Sequence, residues 1–241
     1  MNERKWLECE ELMPMLQFLT GKTTDRKLRL FACACCRDIW DLLTDECGRT
    51  AVEVGERFAD GDAGGDDLHA ASGEAAAAGR AVKEAAGAVS AAAWAAGEAA
   101  WSAGEAAWAA GTAEAAVAGA AEAAWAGAAA AAWAKPWAAG AAAGAAARAR
   151  QADNLREIVG NSFAPVRFSP GWVTSDVRNL AETLYEYRRL PSGELDCELF
   201  GVLGDALEEV GCSNPVILEH CRSKGPHIRG CHVLDLVLGK S

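Results

Sequence analysis

The sequence lacks an excess of positive charge in any of its parts. It carries 34 acidic and 23 basic residues in 241, for a net charge of -11, and residues 1–60, 61–150 and 151–241 are each acidic. Binding to a phosphate backbone requires clustered lysine and arginine side chains. We therefore predict that the protein has no nucleic-acid partner.

Long uncharged apolar runs are also missing. The longest uncharged stretches, between Glu84 and Glu98 and between Glu122 and Lys135, are shorter than the roughly 18 residues needed to cross a bilayer. Near the start, Glu8, Glu10 and Glu11 occupy the place where a secretory signal has its apolar core. These absences predict a cytoplasmic protein that does not associate with membranes.

The nine cysteines do not form the pattern of a disulfide-stapled domain. Their number is odd, and Cys35 and Cys36 are adjacent, which is unlike a small secreted scaffold. Free cysteine packs as a small apolar residue. Cys33, Cys35 and Cys36 lie on an apolar helical pattern, so we interpret them as core residues and not as a redox motif.

Composition divides the chain into three parts. Residues 1–60 and 151–241 have bulky apolar residues at helical spacing, whereas residues 70–149 contain 46 alanines. No convincing alternating strand is present. We predict an all-α fold in which both chain ends build one globular head and residues 61–150 form an alanine-rich helical hairpin or multi-helix insert. The residues expected to be buried together in the head are Phe31, Ile39, Trp40, Leu203, Leu207, Leu218, Leu234 and Leu238.

Proline, glycine and asparagine mark several helix ends. Lys135-Pro136 predicts a break, because proline disfavours helical geometry in the residue before it and suits a new first turn. A return helix should follow over about 137–159 and end at Gly160-Asn161. Asn214-Pro215 is typical of a helix start, with asparagine as the cap.

Tryptophan recurs in the alanine-rich part with a period of seven. Trp94, Trp101 and Trp108 therefore share one helix face, the tryptophan stripe, which drifts by about 20° per repeat. The stripe could pack within the chain, contact another chain or belong to a fluctuating helix. A single return helix is too short to cover it, so either the tract folds again near Gly87 or Gly111, or the stripe serves a protein partner or self-association.

Both ends of the chain resemble a family of uncharacterised proteins of planctomycete bacteria. The resemblance rests on residues 25–37 (DRKLRLFACACCR), 207–212 (LEEVGC), 220–222 (HCR), 227–231 (HIRGC) and 236–240 (LVLGK), and it covers about residues 4–60 and 150–241. A variable alanine-rich insert is typical of that family. This chain has His232 where the family usually has tryptophan. The resemblance implies an architecture and no activity.

Cysteine and histidine concentrate near the end of the chain, and both are zinc ligands. Their spacing matches no common zinc finger, so we favour packing and helix-capping roles over metal binding. A Cys–His nucleophilic pair, Cys221 or Cys231 with His227, is a further alternative. The weak metal-ligand candidates are Cys212, His220, Cys221, His227, Cys231 and His232.

No Ser-His-Asp pattern, phosphate-binding glycine loop or paired metal-binding histidine motif occurs in the sequence. The leading hypothesis is therefore a non-enzymatic helical scaffold or protein-interaction module without catalytic residues or a cofactor. The alternative is a small zinc-binding or thiol-dependent protein that uses the C-terminal histidines and cysteines.

Overall fold

The computed structural model of the protein describes residues 1–86, 129 and 137–240. The regular secondary structure of these residues is helical. No β-strand occurs within these ranges, which confirms the all-α prediction. None of the described helices is long and apolar enough to cross a membrane. The α-helices are α1 (Glu3–Glu8), α2 (Leu12–Leu19), α3 (Asp25–Arg37), α4 (Glu46–Asp60), α5 (Gly65–Ala86), α6 (Trp137–Val159), α7 (Ser175–Glu186), α8 (Cys197–Glu209), α9 (Pro215–Cys221) and α10 (His232–Leu238).

The helix ends follow the local signals of the sequence. The Thr24 side chain caps α3 by accepting a hydrogen bond from the backbone N–H of Lys27, and Asn214 caps α9 in the same way. Helix α6 ends before Gly160 as predicted, and Gly160 has a left-handed φ of 75°. The tryptophan stripe and the predicted breaks at residues 87, 111 and 135–136 lie outside the described residues.

The described helices belong to two units, each with its own packing. The first unit comprises residues 1 and 8–152, and the second comprises residues 2–7 and 153–241. The division therefore falls within α6, after Ala152. The predicted boundaries at residues 60 and 150, and the single head, stay predictions.

The first unit packs α3 against α4 and α4 against α5. Phe31, Ile39 and the cysteines Cys33, Cys35 and Cys36 are buried there as predicted. Burial raises the pKa of the Cys33 and Cys35 thiols well above the usual range, which fits core residues. The prediction fails for Trp40, which is only half-buried. Its ring lies against the guanidinium of Arg37, whose carbon is 4.6 Å from the ring centre.

A buried ion pair joins α3 to α4. The Arg37 guanidinium donates from Nε and Nη2 to the two carboxylate oxygens of Glu56 at 2.7 and 2.8 Å, and both residues are buried. Removing one member of a buried pair leaves the other charge without compensation. The pair therefore makes the packing of α3 on α4 sensitive to a single substitution.

Replacing Glu56 with alanine is expected to lower the free energy of unfolding by about 3–5 kcal/mol, since it removes the carboxylate that two nitrogens of the buried Arg37 guanidinium contact. Denaturant unfolding measures the loss. Arg150→Ala is the control, because Arg150 is exposed and its contact with Asp38 is 3.5 Å long, so that pair contributes about 1 kcal/mol or less. Equal losses for the two variants would contradict the role given to the Arg37–Glu56 pair.

The second unit has its own apolar core. Helix α8 packs against α7 and α9, and α10 packs against α7 and α9. The predicted core residues of this part are buried, apart from Leu238, which is partly buried against the cluster. The buried cluster includes Leu184, Tyr185, Phe200, Leu203, Leu207, Ile217, Leu218, Cys221, Cys231, Val233 and Leu234.

Candidate metal centre

Four side chains of the second unit bring metal-binding atoms together. Glu157 lies in the last turn of α6, His220 on α9, Cys231 at the N-cap of α10, and His232 at the first position of α10. Each offers one ligand atom, and these atoms all lie within 4.8 Å of one another. We call these four residues the donor group.

Two distances between atoms of the donor group resemble those between ligands of one ion. The His220 Nε2 atom lies 3.1 Å from the Cys231 Sγ atom and 3.5 Å from the Glu157 Oε1 atom. In a tetrahedral zinc site with ordinary bond lengths, neighbouring nitrogen, oxygen and sulfur ligands are about 3.3–3.6 Å apart. These two separations are therefore close to those that a zinc ion requires, and the other donor atoms lie at most 4.8 Å apart.

The backbone of Glu157 fixes the orientation of His232. The His232 Nδ1 atom lies 2.9 Å from the Glu157 carbonyl oxygen, which can only accept a hydrogen bond, so Nδ1 carries the proton. The lone pair of the neutral ring is then on Nε2. Metal-bound histidines are commonly oriented in this way by a carbonyl at the other ring nitrogen.

A third histidine supports the Glu157 carboxylate. His227 is buried, and its Nδ1 atom lies 3.1 Å from Glu157 Oε1, while its Nε2 atom lies 3.3 Å from the Ser223 hydroxyl oxygen. The carboxylate of Glu157 can only accept, so Nδ1 donates in that contact. The Ser223 carbonyl oxygen also lies 3.3 Å from Nε2. The His227 ring also stacks on Phe200 with a centroid distance of 4.1 Å. This contact covers one face of the imidazole and holds the ring in place.

The electrostatics of Glu157 favour the charged form. Burial alone would raise the pKa of this carboxyl, but hydrogen bonds and charges of His220 and His227 outweigh burial and lower the pKa to about 2. Glu157 is thus a carboxylate at neutral pH, the form in which it can bind a cation.

Cys231 has the opposite electrostatics in the protein alone. Burial, with the nearby Glu157 charge, raises the pKa of its thiol well above the usual range, and burial raises the pKa of Cys221 to about 12. Thiols with such pKa values are poor nucleophiles, because the thiolate is the reactive form. The nitrogen beside Cys231 is that of His220 and not that of His227, so the geometry does not support the pairing proposed from the sequence.

Gly160 makes room for His232 at the end of α6. A Cβ atom at Gly160 would lie 2.9 Å from His232 Cδ2, closer than real Cβ atoms approach, and the φ of 75° is left-handed. The Gly160 carbonyl also accepts a hydrogen bond from the Trp6 indole at 3.1 Å. A glycine here therefore allows α6 to end directly against the donor group.

A cavity of about 510 Å³ opens beside the donor group. Glu157, His220 and His232 line it, whereas Cys231 is fully buried. The donor group thus has a buried sulfur side and a side that faces the cavity.

The sequence anticipated part of this site. Of its six candidates, the structure brings His220, Cys231 and His232 together and places His227 against Glu157, while Cys212 and Cys221 belong to the apolar core. Glu157 was missed, although a signal existed. Glu157 lies three positions after Asn154 and next to Ile158, and both of these residues are on the buried face of α6. An acidic residue on such a face is unusual.

The described residues carry no tryptophan of the stripe, so the interaction surface of the leading hypothesis stays a prediction. The resemblance to the planctomycete family also stays a prediction. Comparison of the chain with known protein families, curated proteins and solved structures finds no match.

Proposed function

We propose that this protein binds a divalent transition metal, zinc, through Glu157, His220, Cys231 and His232. The observation that carries the proposal is the convergence of four donor atoms of three chemical types within 4.8 Å, contributed by three separate helices. The proposal takes up the zinc alternative of the sequence analysis and adds Glu157 to it.

The chemistry of the donor group favours zinc over the alkaline-earth ions. Calcium and magnesium take oxygen ligands, and the donor group offers one carboxylate among a thiol and two imidazoles. Zinc accepts sulfur, nitrogen and oxygen ligands together, usually four in a tetrahedron. Copper and nickel also bind such ligands, so the metal test includes them as competitors.

Charge balance supports a divalent ion in this position. The Cys231 thiolate and the Glu157 carboxylate would neutralise its two positive charges, and the two histidines would bind as neutral rings. An ion and ligands that together carry no net charge avoid most of the cost of placing a charge in a partly buried site. The ion would also ionise Cys231, since a coordinating thiol is deprotonated outright.

Metal analysis of the purified full-length protein tests the proposal. We expect about one equivalent of zinc per chain after incubation with zinc and removal of the excess, as for a single four-ligand site. Cys231→Ala should lose this zinc because it removes the sulfur ligand. Cys221→Ala should keep it, since Cys221 is equally buried in the same unit and does not belong to the donor group.

Less than about a tenth of an equivalent of zinc in the parent protein would contradict a specific site of this kind. Equal zinc content in the two cysteine variants would place the metal elsewhere. Tighter retention of copper than of zinc is expected from the general order of affinities. The test therefore depends on the number of zinc equivalents bound and on the loss of zinc in Cys231→Ala.

A further inference from the structure

One side of the donor group faces the cavity described above. Three of the four residues, Glu157, His220 and His232, line that cavity, and the sulfur ligand lies on the buried side. A closed structural zinc site has protein ligands on all sides, whereas sites that exchange ligands keep a position open to solvent or substrate. The cavity beside the donor group therefore decides whether the metal site is closed or can exchange a ligand.

We infer that the metal is open on its cavity side and takes a further ligand there, a small neutral molecule that binds through oxygen or nitrogen. The inference rests on the proposed metal site. Zinc can expand from four to five ligands, so the donor group can stay intact when the small molecule binds. The protein would then be a ligand-exchanging metal protein and not one with a purely structural ion.

The charges around the cavity select a neutral ligand over an anion. The thiolate and carboxylate of the donor group already balance a divalent ion. Arg156 is the cation on the cavity wall, and its Nη1 atom lies 2.9 Å from a carboxylate oxygen of Asp153, which also lines the cavity. An anion on the metal would therefore add negative charge beside the carboxylates of Asp153 and Glu157, which both line the cavity, a costly arrangement in a partly enclosed site.

The size and lining of the cavity suit a small molecule. Its volume of about 510 Å³ lies within the range of ordinary ligand pockets. Trp6, Val166 and Val216 give it apolar walls, and Asn161 adds an amide. A compact ligand could thus reach the metal with its donor atom and cover apolar surface with the rest.

Cobalt substitution with imidazole as the probe tests the inference on the full-length protein. A sulfur-to-cobalt charge-transfer band that is missing in Cys231→Ala reports the metal site itself. Adding imidazole should then change the visible cobalt bands in a saturable way while the sulfur band remains. Azide at the same concentration should change them less, because it is an anion.

Two matched valine variants locate the probe. Val216 and Val202 are each 52% exposed on neighbouring helices, but only Val216 lines the cavity. Val216→Trp should fill the cavity and weaken imidazole binding by about tenfold or more, with the cobalt spectrum before addition unchanged. Val202→Trp should leave imidazole binding as in the parent protein.

The outcomes separate this inference from the proposed function. Cobalt binding with the sulfur band, but no spectral change with imidazole, leaves the metal site standing and overturns the open position. A larger response to azide than to imidazole overturns the preference for a neutral ligand. Equal imidazole binding by the two tryptophan variants would show that imidazole does not reach the metal through the cavity. Absence of cobalt binding overturns the proposed function and this inference with it.

Discussion

Replacing Cys231 with alanine is expected to remove the stability that zinc gives to the protein. A ligand that binds only the folded state stabilises it by RT ln(1 + [L]/Kd), or about 4 kcal/mol at a thousandfold excess over the dissociation constant. The parent protein should gain about this amount of unfolding free energy with zinc. Cys231→Ala should gain almost none, because the thiolate is the strongest donor of the set and its loss leaves a gap on the buried side.

The control for this experiment is again Cys221→Ala. Both cysteines are fully buried in the second unit, so both variants lose a similar packing contribution without metal. The comparison therefore concerns only the gain on adding zinc, measured by denaturant unfolding of each variant with zinc and with a chelator. A zinc-dependent gain that is the same in Cys231→Ala as in Cys221→Ala would contradict the assignment of Cys231 as a ligand.

Gly160→Ala is the second substitution for which we expect a large effect. A non-glycine residue at a left-handed φ costs about 1–2 kcal/mol. The new methyl group would also meet the His232 ring at 2.9 Å, and overpacking of this kind costs about 1–3 kcal/mol more. Because the His232 ring must shift, we also expect the affinity for zinc to fall by about tenfold or more.

Gly239→Ala separates the two contributions. Gly239 ends α10 with a similar φ of 68°, but a Cβ atom there would meet nothing within 4 Å. Gly239→Ala should therefore lose only the stability that a non-glycine residue costs at a left-handed φ. Its affinity for zinc should equal that of the parent protein. Calorimetric zinc titration of both variants makes the comparison. Unchanged zinc affinity in Gly160→Ala would show that the position of His232 does not depend on this glycine.

The helices could be predicted because their signals are local. The Asn214-Pro215 start and the Gly160 end each depend on a few adjacent residues that satisfy or terminate a helix, and both ends lie where the sequence placed them. Trp40 shows the limit of such reasoning. Its position in an apolar pattern indicates burial, but the ring is half-buried against the guanidinium groups of Arg37 and Arg49. The contact with Arg49, on α4, depends on packing between helices.

The donor group could be predicted only in part, for a related reason. His220, Cys231 and His232 are close in sequence, so composition alone brings them to notice. Glu157 lies 75 positions before His232, and nothing local connects the two. The contact between the end of α6 and the start of α10 is a tertiary feature. It adds Glu157 to a cluster whose spacing matches no common zinc finger, and so completes a set of four candidate ligands.

X-ray absorption at the zinc edge of the loaded full-length protein tests the central claim most directly. The donor group predicts one sulfur neighbour at about 2.3 Å and nitrogen or oxygen neighbours at about 2.0–2.2 Å, with imidazole scattering from two histidines. Cys231→Ala should show no sulfur neighbour. A parent spectrum without sulfur, or one with two or more sulfur neighbours, would contradict a zinc site formed by Glu157, His220, Cys231 and His232.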